Sequence, residues 1–178
     1  MKKRSVPMGV LALAFFATHA GMHAYLGQFQ HVLWACNVAT LGVGIGLLLP
    51  SATINAAGTF WLTAGLPLWL LDLVLASDLH YSTLLPHIGG LILGYVGIRR
   101  LGLPDSTWWV ALVAMAGLVV VCRLTTSPSE NVNLAFGPYE GTRHIVPSHW
   151  GQLAITFVGF TLSFVILQRL LKLGLRQP

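Results

Sequence analysis

Apolar residues dominate six stretches of the chain, and polar or turn-forming residues separate them. The stretches run near Met8–Tyr25, His31–Leu49, Ala56–Ala76, Tyr81–Ile98, Trp108–Cys122 and Gly151–Leu170. Each approaches the ~20 residues that a helix needs to cross the hydrocarbon of a bilayer. The breaks carry turn chemistry: Gly27-Gln28, Pro50-Ser51, Ser77-Asp78, Gly102-Leu103-Pro104 and the polar run Thr125–His149. The pattern predicts one all-α domain, a polytopic bundle of about six transmembrane helices. Its single long connection, 125–150, is of a length that is usually functional or disordered.

Composition narrows the class. Of 178 residues, 55% are apolar and 8% charged, against about 25% charged in soluble domains. A water-facing globule of this chain would expose a continuous apolar patch. That excludes a soluble enzyme and a nucleic-acid-binding domain, and leaves membrane lipids as the expected surroundings. Two cysteines, Cys36 and Cys122, exclude a disulfide framework and a cysteine-rich zinc module. The net charge of +5 matters through its placement. Lys2, Lys3 and Arg4 precede the first stretch, Arg99 and Arg100 follow the fourth, and Arg169, Lys172 and Arg176 follow the sixth. Six passes put all three clusters on one face, which the positive-inside rule assigns to the cytoplasm together with both termini. The expected location is the cytoplasmic (inner) membrane. A cleaved signal peptide competes for the first stretch, although Thr18-His19-Ala20 is a poor cleavage site.

With that topology, all seven histidines fall toward the extracytoplasmic side, while the cytoplasmic half offers basic heads, Gly and aliphatics. At about 1.5 Å per residue, Cys36, His87, Asp72 and His19 lie roughly 7–10 Å below that boundary on four different helices. An ionisable group at such depth needs a partner or water, and a shared layer lets the groups partner one another. Duller roles stand beside this one. Cys36 suits small packing, His87 can satisfy a carbonyl freed by Pro86, and Asp72 can pair with Arg123. His19 and His23 share a helix face, as half a metal site or as a hydrogen-bonding pair. His31, His80, His144 and His149 read as wet rim residues. Gly42-x-Gly44-x-Gly46 lies inside a span, so Gly42-xxx-Gly46 and Gly90-xxx-Gly94 read as close helix packing. Trp61, Trp69, Trp108, Trp109 and Trp150 read as interface anchors. In the long connection, Asn131, Asn133 and the Gly137-Pro138 turn suggest a re-entrant lid whose amides orient a substrate carbonyl or simply cap a turn.

His31-Val-Leu-Trp-Ala-Cys36, Phe60-Trp61, Pro86-His87-Ile-Gly89, Pro104 before Trp108, and Asn133-x-x-Phe136-Gly-Pro138 give a resemblance. This set resembles small YwaF-type bacterial integral membrane proteins. Those are similar to a eukaryotic acyltransferase that remodels ether phospholipids through a Cys/His pair. Androgen-induced lipid hydrolases, which use Thr and His, are a more distant relative. The family commonly places a His two residues before the Cys, where this chain has an interval of five. The resemblance implies a lipid acyl hydrolase or acyltransferase in which Cys36 is the nucleophile and His87 its base. In that scheme Asp72 would orient His87, and Asn37, Asn131 or Asn133 would stabilise the oxyanion. Arg123 would hold a phosphate or carboxylate as a fork. No cofactor is expected on this reading. Alternatives are a metal- or haem-binding membrane protein with His19, His23 and His87 as ligands, and a non-catalytic scaffold or transporter subunit.

Overall fold

The computed structural model describes residues 5–76 and 81–175. Lys2, Lys3, Arg4, Asp78, His80 and Arg176 lie outside the described residues. Among the described residues six α-helices follow one another: α1 Val6–Tyr25, α2 Ala35–Leu48, α3 Ala52–Ala76, α4 Leu91–Leu101, α5 Thr107–Thr125 and α6 His149–Leu175. No strand occurs among the described residues. A π-helical turn, Leu85–Gly90, leads into α4, and a 3-10 turn, Phe29–Leu33, precedes α2. Among the described residues, five segments are long and apolar enough to cross a membrane: Val6–Tyr25, Ala52–Val74, Tyr81–Leu101, Thr107–Thr125 and His149–Leu175. Their outward faces are bare hydrocarbon, from Val10 and Val74 to Val113, Ile155 and Leu162. Water would not tolerate so broad an apolar belt on a monomer. The helices and the belt together support a multi-pass membrane protein.

The second stretch departs from the continuous span expected over His31–Leu49. At Trp34 the backbone is extended (φ −53°, ψ 139°), so the 3-10 turn stops and a new helix starts at Ala35. The 14 residues of α2 cover about 21 Å, less than the hydrocarbon thickness of about 30 Å. The helix therefore reaches only partway, and Cys36 sits in its first turn.

Helices α1 to α4 pack through small residues. A side chain added at Gly44 would strike Leu13 of α1, one at Gly46 would meet the Asn55 backbone of α3, and one at Gly58 the Ala39 carbonyl of α2. Gly94 and Gly97 of α4 face Thr59 and Asn55, and Gly90 faces Thr40. Gly42 has room around it, so the α2–α3 contact depends on Gly46 more than on a Gly42/Gly46 pair. Trp61 is buried and donates its indole N–H to the Ala111 carbonyl (2.9 Å), joining α3 to α5. It is a core residue and not the expected boundary anchor, whereas Trp109 and Trp150 are exposed as anchors should be.

The helix ends are tied in two groups. At one end Arg100 donates to Ser5, Lys172 pairs with Asp105, and Gln168 donates to the Pro104 carbonyl. The other end carries the long connection and the candidate site.

Candidate functional site

The connection 126–148 folds back against the bundle, with Val132 and Ala135 fully buried. Three of its residues have left-handed backbone: Asn131 (φ 43°), Asn133 (φ 54°) and Leu134 (φ 61°). Asn tolerates this region better than other side chains, whereas Leu does so only when its surroundings hold it. The holding contacts are explicit. Asn131 Oδ1 accepts the Phe136 and Gly137 N–H groups (2.9 and 3.0 Å), and its Nδ2 donates to the Gly137 carbonyl. His149 Nε2 donates to the Leu134 carbonyl at 2.8 Å. Arg123 donates to the Ala135 carbonyl at 2.6 Å and lies over the Phe136 ring. The segment packs back against the bundle and is braced like a plug.

Asn133 performs the closest work. Its Oδ1 accepts the Ala35 N–H (3.0 Å) while its Nδ2 donates to the Leu33 carbonyl (2.8 Å) and lies 3.2 Å from Cys122 Sγ. One amide thus bridges the chain on both sides of Trp34 and supplies the partner that an α2 N-terminus lacks. Asn37 Nδ2 donates to the His31 carbonyl (2.9 Å), and its Oδ1 accepts a long contact from Cys36 Sγ (3.8 Å). Asn37, Asn131, Asn133 and Arg123, expected on substrate, therefore all have backbone partners within the protein.

Cys36 and His87 stand on adjacent elements. The Thr40 hydroxyl lies 3.0 Å from the Cys36 carbonyl and 3.4 Å from the Pro86 carbonyl, which pins the first turn of α2 beside the π turn. The His87 ring stacks on Trp69 with centroids 4.3 Å apart and planes 10° apart. Its Nδ1 is 2.8 Å from the Thr83 carbonyl. A carbonyl only accepts, so the ring proton of neutral His87 sits on Nδ1 and the lone pair on Nε2. No hydrogen bond joins Cys36 to His87 among the described residues. Asp72 does not orient His87 either. It is exposed, and its Oδ1 accepts from the Tyr139 hydroxyl at 3.1 Å. Partial burial, and then the Asp72 carboxylate, push the Tyr139 phenol above its ordinary range. Thr83 and Trp69 hold His87 instead.

His19, His23 and His31 form a ladder along this end. His19 Nδ1 meets the Ser82 hydroxyl (2.9 Å), His19 Nε2 lies 3.2 Å from His23 Nε2, and His23 Nδ1 is 3.4 Å from Gln28 Oε1. The His31 ring stands edge-on to His23, and its Nε2 reaches Glu130 at 2.6 Å. No group of three His, Cys, Asp or Glu side chains converges as metal ligands among the described residues. His87 therefore does not complete the three-histidine set.

Two features escaped the sequence reading. Thr40 and Trp69 hold the Cys36–His87 layer, although Thr40 stands four residues after Cys36 on the same helix face. The basic half of the bundle is also less inert than expected. Asn55, Thr59 and Thr63 form an i, i+4 stripe on α3. Asn55 Nδ2 donates to the Gly94 carbonyl, and Thr63 bonds the Tyr95 hydroxyl. That spacing was visible in the sequence.

No family model matches this chain, and no curated protein or solved structure matches it either.

Proposed function

We propose that the protein is a membrane lipid acyl hydrolase or acyltransferase that works through Cys36 and His87, with its site open to the extracytoplasmic side of the cytoplasmic membrane. One observation carries the reading: with Nδ1 engaged by Thr83 O and the ring stacked on Trp69, neutral His87 keeps its lone pair on Nε2, in a π turn that Thr40 ties to the first turn of α2. A general base needs that tautomer and that immobility. Among the described residues, Arg99, Arg100, Arg169 and Lys172 stand at the helix ends opposite the site, which supports the orientation.

In this mechanism a lipid ester enters sideways between helices and sets its carbonyl carbon against Cys36 Sγ, while His87 Nε2 faces the thiol. His87 takes the thiol proton as the sulfur adds to the ester carbonyl. The tetrahedral intermediate collapses to a Cys36 thioester and a lyso-lipid alkoxide, which takes the proton back from His87. Water or a lyso-lipid hydroxyl then attacks the thioester, giving its proton through His87 to the departing sulfur. The oxyanion needs a donor. Ala35 N–H is used by Asn133, and those of Asn37 and Val38 by the Trp34 carbonyl. The Cys36 N–H is thus the first-turn donor assigned to it. Asp72 has no part in the chemistry.

The test uses the full chain in nanodiscs of mixed diacyl and ether phospholipids, with fatty acid and lyso-lipid followed by mass spectrometry. The wild-type protein should release both and carry a hydroxylamine-labile acyl group on Cys36. Cys36→Ala should abolish turnover, and His87→Gln should lower it by about a hundredfold or more. Absence of turnover by the wild type, or full activity in Cys36→Ala, overturns the reading.

A further inference from the structure

The last two turns of α1 bring His19 and His23 onto one face, four residues apart. Their rings meet edge to face, and Nε2 points at Nε2 across 3.2 Å. Each ring also has a separate partner on its Nδ1 side: the Ser82 hydroxyl for His19 and the Gln28 amide oxygen for His23. The Gln28 oxygen only accepts, so His23 holds its proton on Nδ1 and aims a lone pair from Nε2 at His19. A hydroxyl can donate or accept, so Ser82 lets His19 adopt either tautomer. When Ser82 accepts from Nδ1, both Nε2 atoms present lone pairs toward the same point.

Two lone pairs so close repel unless a proton or a cation lies between them. With zinc–imidazole bonds of about 2.0–2.1 Å in a tetrahedral shell, two ligand nitrogens stand about 3.3–3.4 Å apart. The observed separation fits that edge almost unchanged. The Nδ1 partners also match what metal-bound imidazoles require, a hydrogen-bond acceptor on the far ring nitrogen that fixes tautomer and orientation. The neighbouring His31–Glu130 pair places a carboxylate close to the same ladder, which favours a positive charge there.

We propose that His19 and His23 chelate one divalent transition-metal ion of the borderline class that imidazole prefers, Cu(II) or Zn(II). Binding shifts the His19 ring proton: Nε2 gives it up to solvent as Nδ1 takes one from solvent and donates it to Ser82, and both Nε2 lone pairs of the neutral rings close on the metal. Ser82 and Gln28 act as positioning residues. The site is independent of the Cys36–His87 chemistry, because neither of those residues contributes a ligand.

The full chain, stripped with chelator and held in nanodiscs, is titrated with Cu(II) and followed by electron paramagnetic resonance. Zn(II) affinity is read in parallel by competition with a chromophoric chelator. The wild-type protein should take up one equivalent and show hyperfine coupling to two imidazole nitrogens. His19→Gln and His23→Gln should each weaken binding by about tenfold or more, and Gln28→Ala by a smaller factor. His144→Gln, on an exposed part of the connection, should bind like wild type. If the wild type takes up no more metal than the His19→Gln/His23→Gln double variant, the site does not exist. A two-nitrogen spectrum that persists in that double variant overturns it equally.

Discussion

Helices α2 and α6 are both strongly apolar, yet the protein treats them differently. Seven of the 14 residues of α2 are buried, among them Gly44, Gly46 and Thr40, while only Phe164 and Gln168 are buried in the 27 residues of α6. Hydrophobicity cannot explain the contrast, because lipid is as apolar as a leucine side chain and gives helices no reason to associate. Residue size does explain it. Gly46 and Gly58 let the α2 and α3 backbones touch, whereas α6 presents Ile155, Val158, Leu162 and Ile166 to the surroundings. Between α6 and α3 a groove of about 240 Å³ stays open beside Pro67 and Ser163. Within a bilayer, close packing follows the small side chains, and large aliphatics mark the boundary with lipid.

The sharpest way to break that contrast is to make the same change in both helices. Gly46→Val should destabilise the fold by about 3 kcal/mol or more, at the top of the range for overpacking, because the Asn55 backbone cannot move aside. Gly159→Val on α6, where no atom lies near the added carbon, should stay within about 0.5 kcal/mol. Unfolding in mixed micelles by steric trapping reads both, and equal costs would refute the role given to size.

Asn133 gives the next largest effect. Asn133→Ala strands the Ala35 N–H and the Leu33 carbonyl and puts a Cβ-limited residue in left-handed backbone, for an expected cost of about 1–3 kcal/mol. Asn133→Gly keeps the backbone freedom and loses only the amide, so the difference between the two variants isolates the conformational part. If both behave as wild type in the same unfolding assay, the amide does not hold the start of α2.

The smallest effect belongs to Tyr139 and Asp72. Because the phenol is pushed up, its hydrogen bond contributes fully below the ordinary tyrosine range and is lost as pH climbs through the raised value. An alkaline titration followed by ultraviolet difference spectroscopy should show Tyr139 ionising later than a free tyrosine, and Asp72→Asn should bring it partway back. Tyr139→Phe should cost under about 1 kcal/mol, since the pair is exposed. Unchanged ionisation in Asp72→Asn would detach the connection from α3.

Much of the architecture was readable because hydropathy reports length directly. The observed helices begin or end within a few residues of the apolar stretches, with Ser51 and Pro104 at turns as expected. What hydropathy cannot register is a change of helix type. Neither the break at Trp34 nor the π turn at Leu85–Gly90 alters the apolar run, so α2 read as a full span and His87 as part of an ordinary helix. Partners were the hardest to foresee. Asp72 was placed on the correct helix, but its hydroxyl partner lies 67 residues away in the connection. Asn131 and Asn133 could be read either as orienting a substrate carbonyl or as capping a turn, because nothing in a sequence reveals which backbone groups a folded loop leaves unpaired. The His19–His23 juxtaposition was legible because a four-residue interval on a helix fixes it locally.

The π turn has one further consequence. A single extra residue in a helical turn offsets everything before it by about 100° relative to everything after. His87 against Trp69 of α3 lies within that turn, while Gly94 and Gly97 against α3 lie after it, so the turn sets the angle between the imidazole and the glycine face. Deleting one residue between Leu84 and Leu91 would swing the imidazole off its stack while α4 stayed seated. Chain length at this turn is therefore itself a specification, one that aligns the chemistry with the scaffold without belonging to either.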